Sequence, residues 1–323
     1  MDTTWDCIVV GGGAAGLSAA LVLGRARRST LVVDAGEQSN RHAHGIGGLL
    51  GYDGRPPGEL YATGREELAS YPSVEVRAGV VMRGERIDGA FALELAADGE
   101  VRARRVLLAT GMEYRPPSLP GVAELWGRTV FHCPFCHGWE VRDLPLAVLD
   151  NGDSGVHRAL LLRNWSDDVV LLTDGAADFA ASDRDRLAAA GITVDERAVT
   201  GLDERDGELT AIAFADGDRL ERRGLLVPAP LHQRSDLAEQ LGAASAEAGP
   251  VAVDPVGVDA KYATSADGVF AAGDLSAHMP QIAGAIAAGS MAAAMVVQSL
   301  VAEERALPVA PTPVAASAPP PAS

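Results

Sequence analysis

The sequence predicts an α/β protein built of two doubly wound, three-layer domains. Three observations predict it. An apolar run over 5–10 leads into Gly11-Gly12-Gly13-Ala14-Ala15-Gly16, then a helical pattern over 17–27 and an apolar run over 30–33 closed by Asp34. A second strand over 146–149 leads into the turn Asp150-Asn151-Gly152-Asp153-Ser154-Gly155 and a further strand over 169–172. From 268 to 304 the first kind of pattern returns, as a short apolar run ending in Gly273-Asp274 and a long alanine-rich helix from 281 to 304. Strands alternating with helices at such spacing specify parallel sheets covered on both faces.

In the first unit each glycine has a physical task. Gly11 permits a tight turn, Gly13 lets backbone approach a pyrophosphate, and Gly16 lets helix and strand pack closely, while the helix N-terminus offers its positive end. Asp34, 23 positions after Gly11, is suited to accept from a ribose hydroxyl. The unit therefore reads as a Rossmann-like dinucleotide site. Residues 37–58, rich in Gly, His and Pro, read as a long loop, of a length that is usually functional, with His42 and His44 expected in solvent. Strands are expected over 74–81, 91–95 and 101–108, the last closing on Ala109-Thr110-Gly111. Arg115-Pro116-Pro117-Ser118-Leu119-Pro120-Gly121 breaks every regular element and marks a domain boundary.

The second unit departs from the first in an informative way. Gly152 and Gly155 are kept, but Asp150 stands where the first glycine belongs, bringing a negative charge to the pyrophosphate position. Its second strand ends in Thr173-Asp174-Gly175, with no arginine for a 2′-phosphate, so a nicotinamide cofactor bound here would be NAD and not NADP. A helix over 183–190, a strand over 192–195 and a hairpin at Asp216-Gly217 complete the unit. The expected domains are 1–118 and 244–306 for the first, split unit, and 119–243 for the inserted one. Residues 307–323, dominated by Ala, Pro and Ser, read as disordered.

Composition narrows the function. A chain of 323 residues, 47% hydrophobic, can bury two ordinary cores. Its formal net charge of -17 argues against nucleic acid or an anionic membrane as partner. The N-terminus has no basic segment leading into an apolar run, so a cytoplasmic protein is expected. The apolar stretch over 282–301 contains Gly284, Gly289, Ser290 and Gln298 and suits a buried helix better than a membrane span.

Chemistry concentrates in His132-Cys133-Pro134-Phe135-Cys136-His137, which holds two of the three cysteines. Two thiols at this spacing can close into a disulfide, and a neighbouring imidazolium lowers a thiol pKa. The same letters also permit covalent haem attachment or a zinc site. Cys7, in the first strand, reads as a small buried apolar residue. Trp139 and Trp165 read as packing residues.

GGGAAG at 11–16, LLATG at 107–111, CPFC inside the second unit, and GVFAAGD at 268–274 followed by Pro280-Gln281 resemble the low-molecular-weight thioredoxin reductase family over about 5–300. The resemblance implies two FAD/NAD(P)-binding Rossmann-like domains, the CxxC-bearing one inserted into the FAD domain, no metal, and a homodimer. It implies FAD contacts from Gly11, Gly13, Ala14, Ala15, Gly16, Asp34, Val81, Ala109, Thr110, Gly111 and Gly273. It also implies that Asp274 meets the ribityl chain and that the backbone of Gln281 and Ile282 meets the flavin's pyrimidine edge. Those reductases carry Asp after the second cysteine, where this chain has His137.

The segment FHCPFCHGWE is similar to a subgroup, the dithiol oxidases that close disulfides in holomycin-, gliotoxin- and romidepsin-type natural products. That resemblance implies oxidation of a small-molecule dithiol through Cys133 and Cys136, with O2 as acceptor and H2O2 as product. The substrate would attack Cys133, and Cys136 would face the flavin. Oxidising a dithiol releases protons, which gives His137 and His132 roles as base and thiolate stabiliser. The alternative is a disulfide reductase of thioredoxin reductase type, fed by NAD(P)H or ferredoxin through the same thiols.

Overall fold

The computed structural model describes residues 4–97, 99–276 and 279–305; the tail expected to be disordered lies outside them. The first domain begins β1 (Thr4–Val10), α1 (Ala14–Arg25), β2 (Thr30–Asp34), α2 (Pro57–Leu68), β3 (Val74–Ala78), β4 (Val81–Ile87), β5 (Ala90–Leu95) and β6 (Gly99–Leu108). Two elements differ from the sequence reading. The loop after β2 gives way to α2, which Pro57 starts as its first residue, the position where a missing N–H costs least. The single strand expected over 74–81 is two, because Gly79 N–H donates to Asp34 O at 3.0 Å and turns the chain away from β2.

The chain then leaves through β7 (Met112–Tyr114) and builds α3 (Val122–Leu125), β8 (Val130–Phe131), α4 (Pro134–His137), β9 (Leu146–Leu149), α5 (Gly152–Leu162), β10 (Val169–Leu172), α6 (Ala181–Ala189) and β11 (Thr193–Asp195). An antiparallel layer of β12 (Val199–Arg205), β13 (Glu208–Phe214) and β14 (Arg219–Glu221) follows, and β15 (Gly224–Leu226) rejoins the parallel sheet, whose order is β11-β10-β9-β15-β8. Along β9 and β10, Ala147, Leu149, Val170 and Leu172 face one core while Leu146, Val148, Val169 and Leu171 face the other. This alternation is what a sheet buried on both sides requires.

The return runs through β16 (Leu231–Gln233), α7 (Leu237–Gln240), β17 (Val269–Ala271) and α8 (Ile282–Arg305). It comes earlier than the expected 244. β16 pairs antiparallel with β7, Tyr114 opposite Leu231, and Leu231, Leu237, Ala238 and Leu241 already pack in the first core. The first sheet runs β3-β2-β1-β6-β5-β4, and β6 is long enough to serve two neighbours along the edge away from β1: Gly99–Ala103 pairs with β5, and Val106–Leu108 pairs with β17. Among the described residues α8 alone is long and apolar enough to cross a membrane. It lies against α1, with Gly289 so close to the Ala15 carbonyl that a Cβ would not fit, and it buries Ala292, Ala293, Val296 and Leu300.

Candidate active site

β1 delivers the chain into the glycine turn at the carboxyl end of the first sheet. Gly11 has φ of +111°, and a Cβ there would strike the Ala109 carbonyl; one on Gly16 would strike Gly11 O. Gly13, at the N-terminus of α1, faces open space, with only Gln38 as near as 3.9 Å to a hypothetical Cβ. The first turn of α1 carries no acidic residue, so its positive end is uncompensated. This bare turn floors a cavity of about 500 Å³. The size is ordinary for a cofactor site.

Every residue predicted to bind cofactor or act in catalysis lies on the wall of that cavity except Gly16 and Cys133. Gly16 sits behind the turn, where it allows the close approach just described. At one end Asp34 is held by Gly36 N–H at 2.9 Å and by the Arg65 guanidinium at 2.6 Å. At the other, Asp274 is buried, which raises its carboxyl above the usual range, and the Tyr114 hydroxyl donates to it at 3.4 Å. A glycine cradle for phosphates, a carboxylate at the ribose end and a second carboxylate along the wall fit FAD.

α4 brings the hexapeptide to the cavity. Cys133 precedes its first residue and Pro134 begins it, with Cys136 N–H donating to Cys133 O at 3.2 Å. The two cysteines are joined as a disulfide, with Cys136 on the cavity wall and Cys133 off it. The loop after β2 crosses over to meet them. A Cβ on Gly47 would lie 2.6 Å from Cys136 O, so only glycine lets this wall close on the redox pair. His42 and His44, on the same loop, are exposed, as expected.

His137 has the geometry of a base. Its Nε2–H donates to Gly127 O at 3.1 Å, which places a proton on Nε2, and its ring stacks on Phe131 at 5.7 Å. Nδ1 is buried without a hydrogen-bond partner, and burial lowers the pKa against the pull of the Gly127 carbonyl. The result is an open lone pair one residue from Cys136. His132 is different. It lies between Tyr114 at 4.6 Å and Trp126 at 5.7 Å, and burial, with His137 and Arg158 nearby, pushes it down to about 4. A pKa this low favours the neutral imidazole near neutrality.

Other residues of the site escaped the sequence reading. Arg65, behind the wall, reaches Asp34 from α2, most of which lies beyond the stretch read as loop. Arg234 is the only lysine or arginine on the wall among the described residues, and it faces Glu37 at 3.7 Å. Tyr61 donates to Asn40 at 2.7 Å, both on the same wall. Asn40 and Arg234 sit in irregular segments with no motif around them. Cys7 is fully buried, and its thiol is pushed up by burial. Trp165 packs against the second core, but Trp139, expected to pack, is 66% exposed.

The second glycine turn is closed by its own chain. The Asp150 carboxylate accepts from Asn151 N–H at 2.9 Å and Ser154 Oγ at 2.8 Å and pairs with Arg158. Asn151 caps α5 and bridges to Thr173 O at 3.2 Å, and Asp174 Oδ1 accepts from Val199 N–H at 2.7 Å. The acid that would have received an NAD ribose is thus already bonded, and the phosphate position holds a carboxylate. Among the described residues no three His, Cys, Asp or Glu side chains converge as a metal site.

Comparison with known proteins agrees with this architecture. The family model for pyridine nucleotide-disulphide oxidoreductases matches residues 5–292. Thioredoxin reductase tcpT of Claviceps purpurea is 32% identical over 92% of this chain and 95% of its own. An oxidoreductase from Agrobacterium tumefaciens superposes with a TM-score of 0.87 at 35% identity, over 93% of this chain and 99% of its own. The structure of HlmI gives 0.86 at 36% identity, over 95% and 96%. The chain belongs to the pyridine nucleotide-disulphide oxidoreductase family, as a thioredoxin reductase-like oxidoreductase.

Proposed function

We propose that the protein is an FAD-dependent dithiol oxidase: it converts a small-molecule dithiol to its disulfide through Cys133 and Cys136, with dioxygen as terminal acceptor and hydrogen peroxide as product. The observation that carries the direction of electron flow is the Asp150 carboxylate, paired with Arg158 in the turn where a nicotinamide cofactor's pyrophosphate would lie. With that position closed to a nicotinamide cofactor, a dithiol substrate supplies the electrons in this reading.

The chain's own residues support a simple sequence. A substrate thiolate attacks Cys133 Sγ, the S–S bond breaks, and Cys136 leaves as thiolate on the cavity side. The second substrate thiolate attacks the sulfur bound to Cys133, forming the product disulfide and releasing the Cys133 thiolate. His137 Nδ1, unpartnered and neutral, takes up a proton as thiol becomes thiolate beside Cys136. FAD, when bound, supplies the two-electron acceptor that Cys136 faces. Two electrons and two protons leave the substrate, and the same number converts dioxygen to hydrogen peroxide.

Likeness to thioredoxin reductases favours a second reading, a disulfide reductase. Its electrons would enter from NAD(P)H or ferredoxin. Anaerobic mixing of the yellow protein with dithiols separates the two. Loss of the flavin band with dithiol, then peroxide on admitting air, is expected. Rapid bleaching by NADPH or NADH with turnover of a thioredoxin would overturn the proposal.

A further inference from the structure

The outer face of the redox pair carries two large aromatic side chains in solvent. Phe135, between the cysteines, is 63% exposed, and Trp139, four residues on, is 66% exposed. Neither ring hangs free. Phe135 meets the edge of Trp165 at 5.5 Å, and Trp165 is anchored in the second core; the Arg142 guanidinium stacks on Trp139 at 3.9 Å while donating to Trp139 O at 2.6 Å. Leu144 extends the apolar surface, 39% exposed. Large apolar groups held rigid in water mark a recognition surface.

Cys136 faces the cavity and Cys133 does not, so a substrate reaching Cys133 comes from the outside. Glu140 and Asp143 flank Trp139 in sequence, and Arg142 between them is stacked on the Trp139 ring. An acidic flank of this kind disfavours a carboxylate-rich dithiol. We propose that Phe135 and Trp139 form the substrate platform and select a neutral dithiol carried on a flat apolar or aromatic frame. The proposal rests on the dithiol oxidase reading and adds its substrate class.

Two probes test it, 1,2-bis(mercaptomethyl)benzene and dithiothreitol, followed by peroxide release. Wild type is expected to prefer the aromatic probe in kcat/KM. Trp139→Ala is expected to lower the ratio of aromatic to hydrophilic kcat/KM about tenfold, the factor for losing one stacked ring contact, through KM. Trp139→Phe restores it, and an unchanged flavin absorbance in each variant excludes misfolding as the cause. Equal use of the probes by wild type, equal losses for both in W139A, or a preference for reduced thioredoxin over either would overturn the platform and leave the oxidase standing. Bleaching by NADPH with none by either dithiol would overturn both.

Discussion

Lowering the pH should cost this protein stability at one identifiable residue, His132. Its imidazole is held between Tyr114 and Trp126, and burial lowers its pKa from 6.5 to about 4. The unfolded chain takes up this proton near 6.5, the folded one only near 4, so below 6.5 the unfolded state binds more protons and gains. The residue's penalty is absent at pH 7, grows as pH falls through 6.5, and is complete below the folded pKa. A gap of that size corresponds to about 3 kcal/mol in full and about 2 kcal/mol between pH 7 and 5. His132→Phe keeps a ring in the stack and removes the titration. Urea unfolding of both proteins at pH 7, 6 and 5 measures it: the variant should match wild type at pH 7 and exceed it by about 2 kcal/mol at pH 5. Identical pH slopes for the two proteins would refute the assigned state of His132.

Replacing His137 with Ala should slow anaerobic bleaching of the flavin by dithiol about a hundredfold at pH 7. The wild-type rate should be flat above the lowered histidine pKa, whereas the variant's should climb toward the thiol range; a shared profile would dismiss the base. Gly47→Val forces the loop off Cys136 O, 2.6 Å from the added Cβ, and should reduce the same rate about tenfold and alter the visible circular dichroism of the flavin. Asp150→Gly strands the Arg158 guanidinium, whose side chain is 23% exposed, and should lower the unfolding free energy by about 2 kcal/mol in denaturant titrations. No change there would mean that the pair is idle.

Much of the site was legible because backbone geometry wrote it into short stretches. Gly11, Gly13 and Gly16 are needed by steric contacts that any reader of the turn can anticipate, and Asp34 follows from strand length. The cysteine pair announces itself by spacing. What stayed hidden was brought in by tertiary crossing. Tyr114 and Arg234 reach the cavity from β7 and the segment after β16, elements of three residues each. The helix α2 was concealed by its own starting residue, since Pro56-Pro57 reads equally as loop or as a helix N-terminus. Trp139 looked like core because tryptophan usually is.

The ribbon of β7 and β16 has a meaning for how such a chain can be assembled. Tyr114 stands opposite Leu231, so the chain departs for its second domain and comes back from it at the same place, on adjacent antiparallel strands. A two-residue turn joining these positions would make an ordinary hairpin. The thiol-bearing domain is therefore inserted into what would otherwise be a hairpin loop. What it adds to the cavity is one patch of wall, Trp126, Gly127, His132, Cys136 and His137, while the glycine turn comes wholly from the host.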